Sequence, residues 1–443
     1  MASGGEHHEK DEDYYGDAAT IGALRQLYAG YAWADVASLG PESSGRAVRV
    51  RGAAQAVRAV GRRVAFLVLR QGAATVQCVV AGDGMARFAA GLSRESVVDV
   101  AGAVSLPREP VRGTTQQGVE IRVEKLHCVS RAVPALPIGV DDAARSEEDV
   151  ARARAAGEQV VHVGQDKRLD YRVIDLRTAA NQAIFRVQCE VENVFRQVLL
   201  SEGFVGIHTP KLIGGSSEGG AAVFKLDYNG QPACLAQSPQ LHKQMAVCGG
   251  FGRVFEVGPV FRAEDSNTHR HLCEFVGLDV EMALRDHYTE AVPFEPLKYL
   301  RTTLRMDYDE GIRMLQEAGV HVDPMGDLNT EAEKKLGDLV RDRYGTEFYM
   351  LCRYPSAVRP FYTMPCPEDP RYSCSFDVFV RGEEIISGAQ RVHVPELLAA
   401  QAAARGIDVA SIATYIDAFR YGAPPHGGFG VGLERVVMLF CGL

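Results

Sequence analysis

Three stretches of this chain set arginines among carboxylates, aromatic rings and glycines, at spacings suited to phosphate chemistry. Residues 253–282 alternate with period two on either side of a polar middle, the pattern of two half-buried strands joined by a loop. On the first run Phe255, Val257, Pro259, Phe261 and Ala263 share one face, and Glu256, Gly258, Arg262 and Glu264 share the other. On the second, Leu272, Val276, Leu278, Val280 and Met282 form the packing face, opposite His271, Cys273, Phe275, Gly277, Asp279 and Glu281. The loop adds Asp265, His269 and Arg270. A face with a guanidinium, carboxylates, a ring and little bulk suits a planar base, a polyphosphate and a charged small molecule together.

The second stretch is 375–391. Arg381-Gly382 fits a two-residue turn that would pair Phe379 with Glu384. Asp377 and Glu384 then share a face, and two such carboxylates can hold Mg²⁺ against nucleotide phosphates. Ser387 and Arg391 do not share that parity; a bulge at Gly388 would re-aim them. The third stretch, 424–440, is a glycine-rich strand turning into an apolar helix. Its glycines permit close backbone approach, and Arg435 in the first helical turn makes a natural polyphosphate site. No Walker A pattern is present, so a nucleotide site here is not a P-loop.

The elements that must position these groups are legible from composition and periodicity. With 443 residues, two or three domains are expected. The net charge of −9 does not advertise nucleic-acid binding, so any RNA contact must rest on locally concentrated basic groups. Ten cysteines without a C-x-x-C pair imply no zinc framework and fit a reducing compartment. There is no bilayer-spanning run and no leader-like N-terminus, so a cytoplasmic protein without membrane contact is expected. The acidic first 20 or so residues read as a mobile tail. Short apolar runs at 47–50, 64–69, 75–80, 97–104 and 119–123 predict a small five-stranded barrel. Residues 132–170, opened by Pro134 and Pro137 and carrying a charged Ala-rich helical run over 141–158, read as a hinge. Helical spacing over 177–201 ends at Gly203, and a short strand closes at Pro210. Residues 214–220 are a glycine-serine loop. Helices are expected over 302–319 and 330–344, and a strand over 348–351.

Phe261-Arg262-Ala263-Glu264, the His269-Arg270-His271 loop and Glu274-Phe275 resemble the second signature of class II aminoacyl-tRNA synthetases. The closest resemblance is to aspartyl-tRNA synthetases of the eukaryotic and archaeal type, and it covers roughly residues 46–443. The helix and strand ending at Pro210 resemble the first signature, which builds a homodimer interface; the stretch around Arg435 resembles the third. The resemblance implies an α+β protein: an N-terminal extension (1–45, partly disordered), an OB-fold anticodon-binding β-barrel (46–132), a hinge (133–170) and an antiparallel-sheet catalytic domain flanked by helices (171–443). It implies that Arg262, Glu264, Arg270, His271, Phe275, Glu384 and Arg435 serve ATP, with Arg262, Glu264 and Arg435 catalytic. Phe275 would stack on adenine. Asp377 and Glu384 would hold Mg²⁺. L-aspartate would fall to Ser217, Glu218, Gln240, Lys243, Asp279, Ser387, Arg391 and His426.

Within that resemblance Gln237-Ser238-Pro239-Gln240-Leu241-His242-Lys243 discriminates most. A free aspartate needs a cation for its side-chain carboxylate, which Lys243 supplies and an asparagine site would not need. Arg58, Phe66 and Gln77 match residues that read the anticodon of tRNA-Asp. The alternatives are an asparaginyl-tRNA synthetase, a synthetase-like aspartate–ammonia ligase and a binding-only paralogue. Lys243, the barrel, and the intact Arg262, Glu384 and Arg435 argue against these in turn. Two departures stand out: the segment 286–296 is short for the family, and the chain ends at Leu443 ahead of a Phe-Pro-Arg tail.

Overall fold

The computed structural model describes residues 14–18, 21–214, 223–263, 272–285, 302–420 and 425–441. The chain divides into two compact units, Met1–Phe185 and Arg186–Leu443.

The first unit is built on a closed barrel. Its strands are β1 (Ala47–Val60), β2 (Val64–Gln71), β3 (Ala74–Ala81), β4 (Val97–Ser105) and β5 (Glu120–Ser130), with helix α1 (Asp83–Ala90) between β3 and β4. Strands pair in the order β1-β2-β3-β5-β4 and β4 returns to β1, which leaves no free edge in the ring. This is the OB-fold order. Alternation drives it: Leu67, Leu69, Val76, Cys78, Val80, Val98 and Val100 point inward and are buried. The ring is tight where β4 crosses β5. A Cβ on Gly102 would lie 1.9 Å from the Arg122 carbonyl, so only glycine fits.

Two expectations fail here. The N-terminal tail is not mobile throughout, because Tyr15–Asp17 pairs in parallel with Leu126–Cys128 of β5. The single helical run over 141–158 is two helices, Val140–Ala143 and Glu147–Ala155. Ser146 interrupts them by accepting a hydrogen bond from the Asp149 backbone N–H as an N-cap. Ile138, Val140, Ala143, Val163 and Ile174 give this stretch a small core of its own.

The second unit begins within helix α2 (Ala179–Ser201) and is organised by an eight-stranded sheet. In chain order its labelled parts are helix α3 (Gln240–Ala246), β6 (Arg253–Phe261), β7 (Glu274–Ala283), β8 (Leu304–Asp307), helices α4 (Tyr308–Glu317) and α5 (Thr330–Tyr344), β9 (Phe348–Cys352), β10 (Ser375–Val380), β11 (Glu383–Gln390), β12 (His426–Gly432) and helix α6 (Leu433–Cys441). The strand order is β8-β9-β10-β11-β12-β7-β6, with Val205–Gly206 at the far edge. The central pairings are antiparallel, so hairpins and neighbouring strands present one continuous face. Residues 304–307, expected in a helix, are strand β8, parallel to β9. Tyr308, Ile312, Leu315, Leu336 and Val340 of α4 and α5 pack on Tyr349, Leu351 and Phe379 and cover the β9–β10 end of that same face.

The β10–β11 hairpin turns on Arg381 and Gly382, both at positive φ, and pairs Phe379 with Glu384. The expected bulge is misplaced. Val378 pairs with Ile386, so the extra residue is Ile385. Gly388 is regular, paired with Phe376 and Phe429. It is glycine for a different reason: a Cβ there would lie 2.4 Å from the Phe376 ring. No helix among the described residues is long and apolar enough to cross a membrane.

Candidate active site

A cleft of about 790 Å³ opens over β7, β11 and β12. Its walls bring together Gln240, Arg262, Phe275, Asp279, Glu384, Ser387, Arg391 and Arg435, residues spread over nearly two hundred positions of sequence. The β6–β7 register places Glu256 opposite Asp279 and Val260 opposite Phe275. The Arg262 guanidinium lies 5.3 Å over the Phe275 ring, a cation–π contact that orients both. Leu272, expected in the packing face, instead lines the cleft and is exposed; it precedes the first paired residue of β7, so strand alternation does not reach it.

One end of the cleft is built on Glu281, a buried carboxylate one residue pair beyond Asp279. Lys243 reaches it from α3, with Nζ 3.0 Å from Asp279 Oδ1 and 3.5 Å from Glu281 Oε2. Arg391 approaches from the other side, with Nε 3.3 Å from Glu281 Oε1 and Nη2 donating to the Gly428 carbonyl at 3.0 Å. Gln240 Nε2 donates to Glu281 Oε2 at 3.2 Å. Burial alone would raise the Glu281 carboxyl, but the charges of Arg391 and Lys243 outweigh it and hold it below the usual carboxylate range. Lys243 is itself buried and stands behind the wall rather than on it; Arg391 is the cation of this pair that lines the cleft. Close approach of β12 makes this possible, since a Cβ on Gly428 would lie 2.0 Å from the Val280 carbonyl.

At the other end Arg435 donates from Nη1 to the Glu384 carbonyl at 2.7 Å and stands 3.8 Å from its carboxylate. Glu434, its neighbour in the first turn of α6, accepts from the Val276 N–H at 3.1 Å and fixes the helix start against β7. Burial and then the Asp377 charge push the Glu384 carboxyl up to about 7. Asp377 is buried beneath, held by Arg359 at 2.5 Å. Its Oδ1 is a buried oxygen without a hydrogen-bond partner among the described residues. Two carboxylates that repel each other, one with an orphaned oxygen, fit a divalent cation. No cluster of three or more His, Cys, Asp or Glu suited to a metal occurs among the described residues.

His426 does not line the cleft. It is buried, stacked on Phe419 and 3.2 Å from Gln244 Oε1. Ser217, Glu218, Glu264, Arg270 and His271 lie outside the described residues, as does the short segment 286–296. Sequence reasoning passed over Glu281, although it sat on the open face of the hairpin two residues from Asp279. It also missed Arg359, for which a lone Arg-Pro gives no signal.

On the barrel, Phe66 lies on the outer face between buried Ala65 and Leu67, so it is not core. The Arg58 guanidinium is 5.3 Å over its ring, and the two residues pair across β1 and β2. Gln77 pairs with Val68 and donates to Glu120 Oε2 at 3.1 Å.

With this geometry in place, comparison with known proteins is decisive. Residues 164–443 match the family of class II tRNA synthetases (D, K and N). The chain is a class II tRNA synthetase. Residues 48–129 of this synthetase match the OB-fold nucleic acid binding domain. It is 58% identical to the protein named aspartate–tRNA ligase 1, cytoplasmic, of Arabidopsis thaliana, over 99% of this chain and 88% of that one. The aspartyl tRNA synthetase structure from Entamoeba histolytica superposes with a TM-score of 0.86 at 38% identity, covering 100% and 94% of the two chains. An asparaginyl-tRNA synthetase from Pyrococcus horikoshii, solved with asparaginyl-adenylate, superposes at 0.78 with 30% identity, covering 94% and 96%.

Proposed function

We propose that this synthetase is an aspartate–tRNA ligase: it activates L-aspartate with ATP to aspartyl-adenylate and pyrophosphate, then transfers aspartate to the 3′ end of tRNA-Asp. The observation that carries the reading is the buried Lys243–Glu281–Arg391 arrangement at one end of the cleft, which sets Arg391 on the wall where a second carboxylate would sit, with Lys243 behind it. The identity to the Arabidopsis ligase supports it.

In the first step the aspartate α-carboxylate attacks the ATP α-phosphate. Arg262 and Arg435 stabilise the charge that develops on the phosphates. Phe275 offers the adenine a ring. Asp377 and Glu384 would hold Mg²⁺, which when bound supplies positive charge at the polyphosphate. In the second step the terminal ribose hydroxyl of tRNA attacks the adenylate. The protein supplies no nucleophile. Glu264, Arg270 and His271 belong to the ATP site in this reading, and Ser217, Glu218, Gln240, Asp279, Ser387 and His426 to the aspartate site, His426 acting through Gln244 rather than by contact. The barrel disfavours an aspartate–ammonia ligase. Exchange of pyrophosphate into ATP tests the assignment: aspartate supports it and asparagine does not. Exchange with asparagine alone would overturn it.

The reading extends to three further points. Arg58, Phe66 and Gln77 recognise the anticodon, because a ring on an outer barrel face can stack a splayed base. Phe66→Ala then lowers tRNA charging by about 5-fold, the low end of base–aromatic stacking, and leaves pyrophosphate exchange unchanged. Equal loss of both activities would contradict this. The synthetase works as a homodimer. Of the 23 residues of α2 only Leu199 is buried, and Phe185, Val194, Val198 and Leu200 are exposed on two sides of it, apolar surface that a second copy would cover. Sedimentation at twice 48.1 kDa is expected, and a monomer at micromolar concentration would refute it. The location is cytoplasmic, as the Arabidopsis relative is named; fractionation of cells expressing the tagged chain tests that.

A further inference from the structure

Arg359 belongs to no motif that the sequence singles out, yet it stands at the junction of the groups read above as metal ligands. Its Nη2 is 2.5 Å from Asp377 Oδ2, and its Nη1 donates to Ser387 Oγ at 3.3 Å. The guanidinium lies over the Tyr354 ring, 3.7 Å from its centre. Pro360 follows it in the chain and restrains the backbone on that side. Arg359 lines the cleft together with Glu384 and Ser387, whereas Asp377 does not.

We propose that Arg359 is a positioning residue that keeps Asp377 closed to free divalent ions, so that the metal enters only with the nucleotide. The inference rests on the reading of Asp377 and Glu384 as metal ligands.

The argument is one of competition. A guanidinium keeps its charge at any working pH, so it cannot release Asp377 by losing a proton. A bare aqueous ion would have to displace this paired and stacked cation and shed water as well, for one further carboxylate. A metal that arrives on a polyphosphate brings negative charge with it. The displaced guanidinium then has a new partner within the same cleft, because its side chain already forms part of the wall. The exchange replaces one ion pair by another and leaves no buried charge uncompensated.

The test uses Mn²⁺ as the probe and reads the signal of the free ion by electron paramagnetic resonance, on the full-length chain. Wild type binds Mn²⁺ weakly without nucleotide and tightly with a non-cleavable ATP analogue. Arg359→Met binds Mn²⁺ without nucleotide about tenfold more tightly, within the usual range of coupling between competing ligands. Adding Asp377→Asn to that variant removes the gain. Arg359→Lys keeps the charge on a stem that cannot hold Asp377 and Ser387 at once, and gains a smaller factor. No gain in either single variant overturns the proposal, as does a gain that persists in the double variant. If Asp377→Asn alone leaves Mn²⁺ affinity unchanged with the ATP analogue present, the assignment of Asp377 as a ligand falls too. If that variant weakens binding while Arg359→Met gains nothing, only the gatekeeping role falls.

Discussion

Replacing Lys243 by methionine lowers kcat/KM for aspartate in pyrophosphate exchange by about 10²–10³, the scale on which removing one member of a buried charge pair weakens binding. The side chain keeps its length and loses its charge. Asp279 then loses its lysine partner and Glu281 keeps only Arg391 of its two cations, so an incoming side-chain carboxylate meets uncompensated negative charge. Because Lys243 stands behind the wall, its effect reaches the ligand through the field of this cluster. The KM for ATP, set at the far end of the cleft, changes little. Removing one member of a buried ion pair also costs about 3–5 kcal/mol, so the melting temperature is measured alongside and Lys243→Arg serves as a folded control. A folded Lys243→Met chain that exchanges with aspartate at the wild-type rate would remove the amino-acid assignment.

Arg262→Met is the second large effect. Loss of a preorganised donor at developing charge costs about 10²–10³ in rate, and here it falls on kcat. The Phe275 ring is left in place for the base, so the KM for ATP moves far less. The split between the two constants is the diagnostic. An increase in KM with kcat preserved would make Arg262 an ordinary binding residue, held by its contact with the ring rather than used on the phosphate.

Much of this cleft can be read from the chain because it is built on strands. Period-two alternation assigns faces without knowledge of partners, which is why Arg262, Phe275 and Asp279 come out on one side of the β6–β7 hairpin and meet across it. The type of turn at Arg381-Gly382 likewise determines the pairing of Phe379 with Glu384. What alternation cannot supply is depth. Lys243 and Glu281 carry the same types of charge as surface residues, and only the seating of α3 on the β7–β12 pair decides that they are buried. Nor can it supply partners from loops: Arg359 sits outside any periodic segment, so nothing in its neighbours announces Asp377. Alternation puts His426 on the same face as Gly428 and Gly430 of β12, but it lies further along that strand, covered by Gln244 and Phe419.

The extra residue at Ile385 has a consequence for how β11 can change over time. Strict alternation would send Glu384 and Ser387 to opposite sides of the sheet, yet both look into the same chamber. Their shared outlook therefore comes from chain length rather than from residue type. Substitutions along this strand can retune either end of the chamber while preserving the arrangement. Loss or gain of one position between them would turn every later side chain to the opposite side, so this strand is open to drift in its letters and closed to drift in its count.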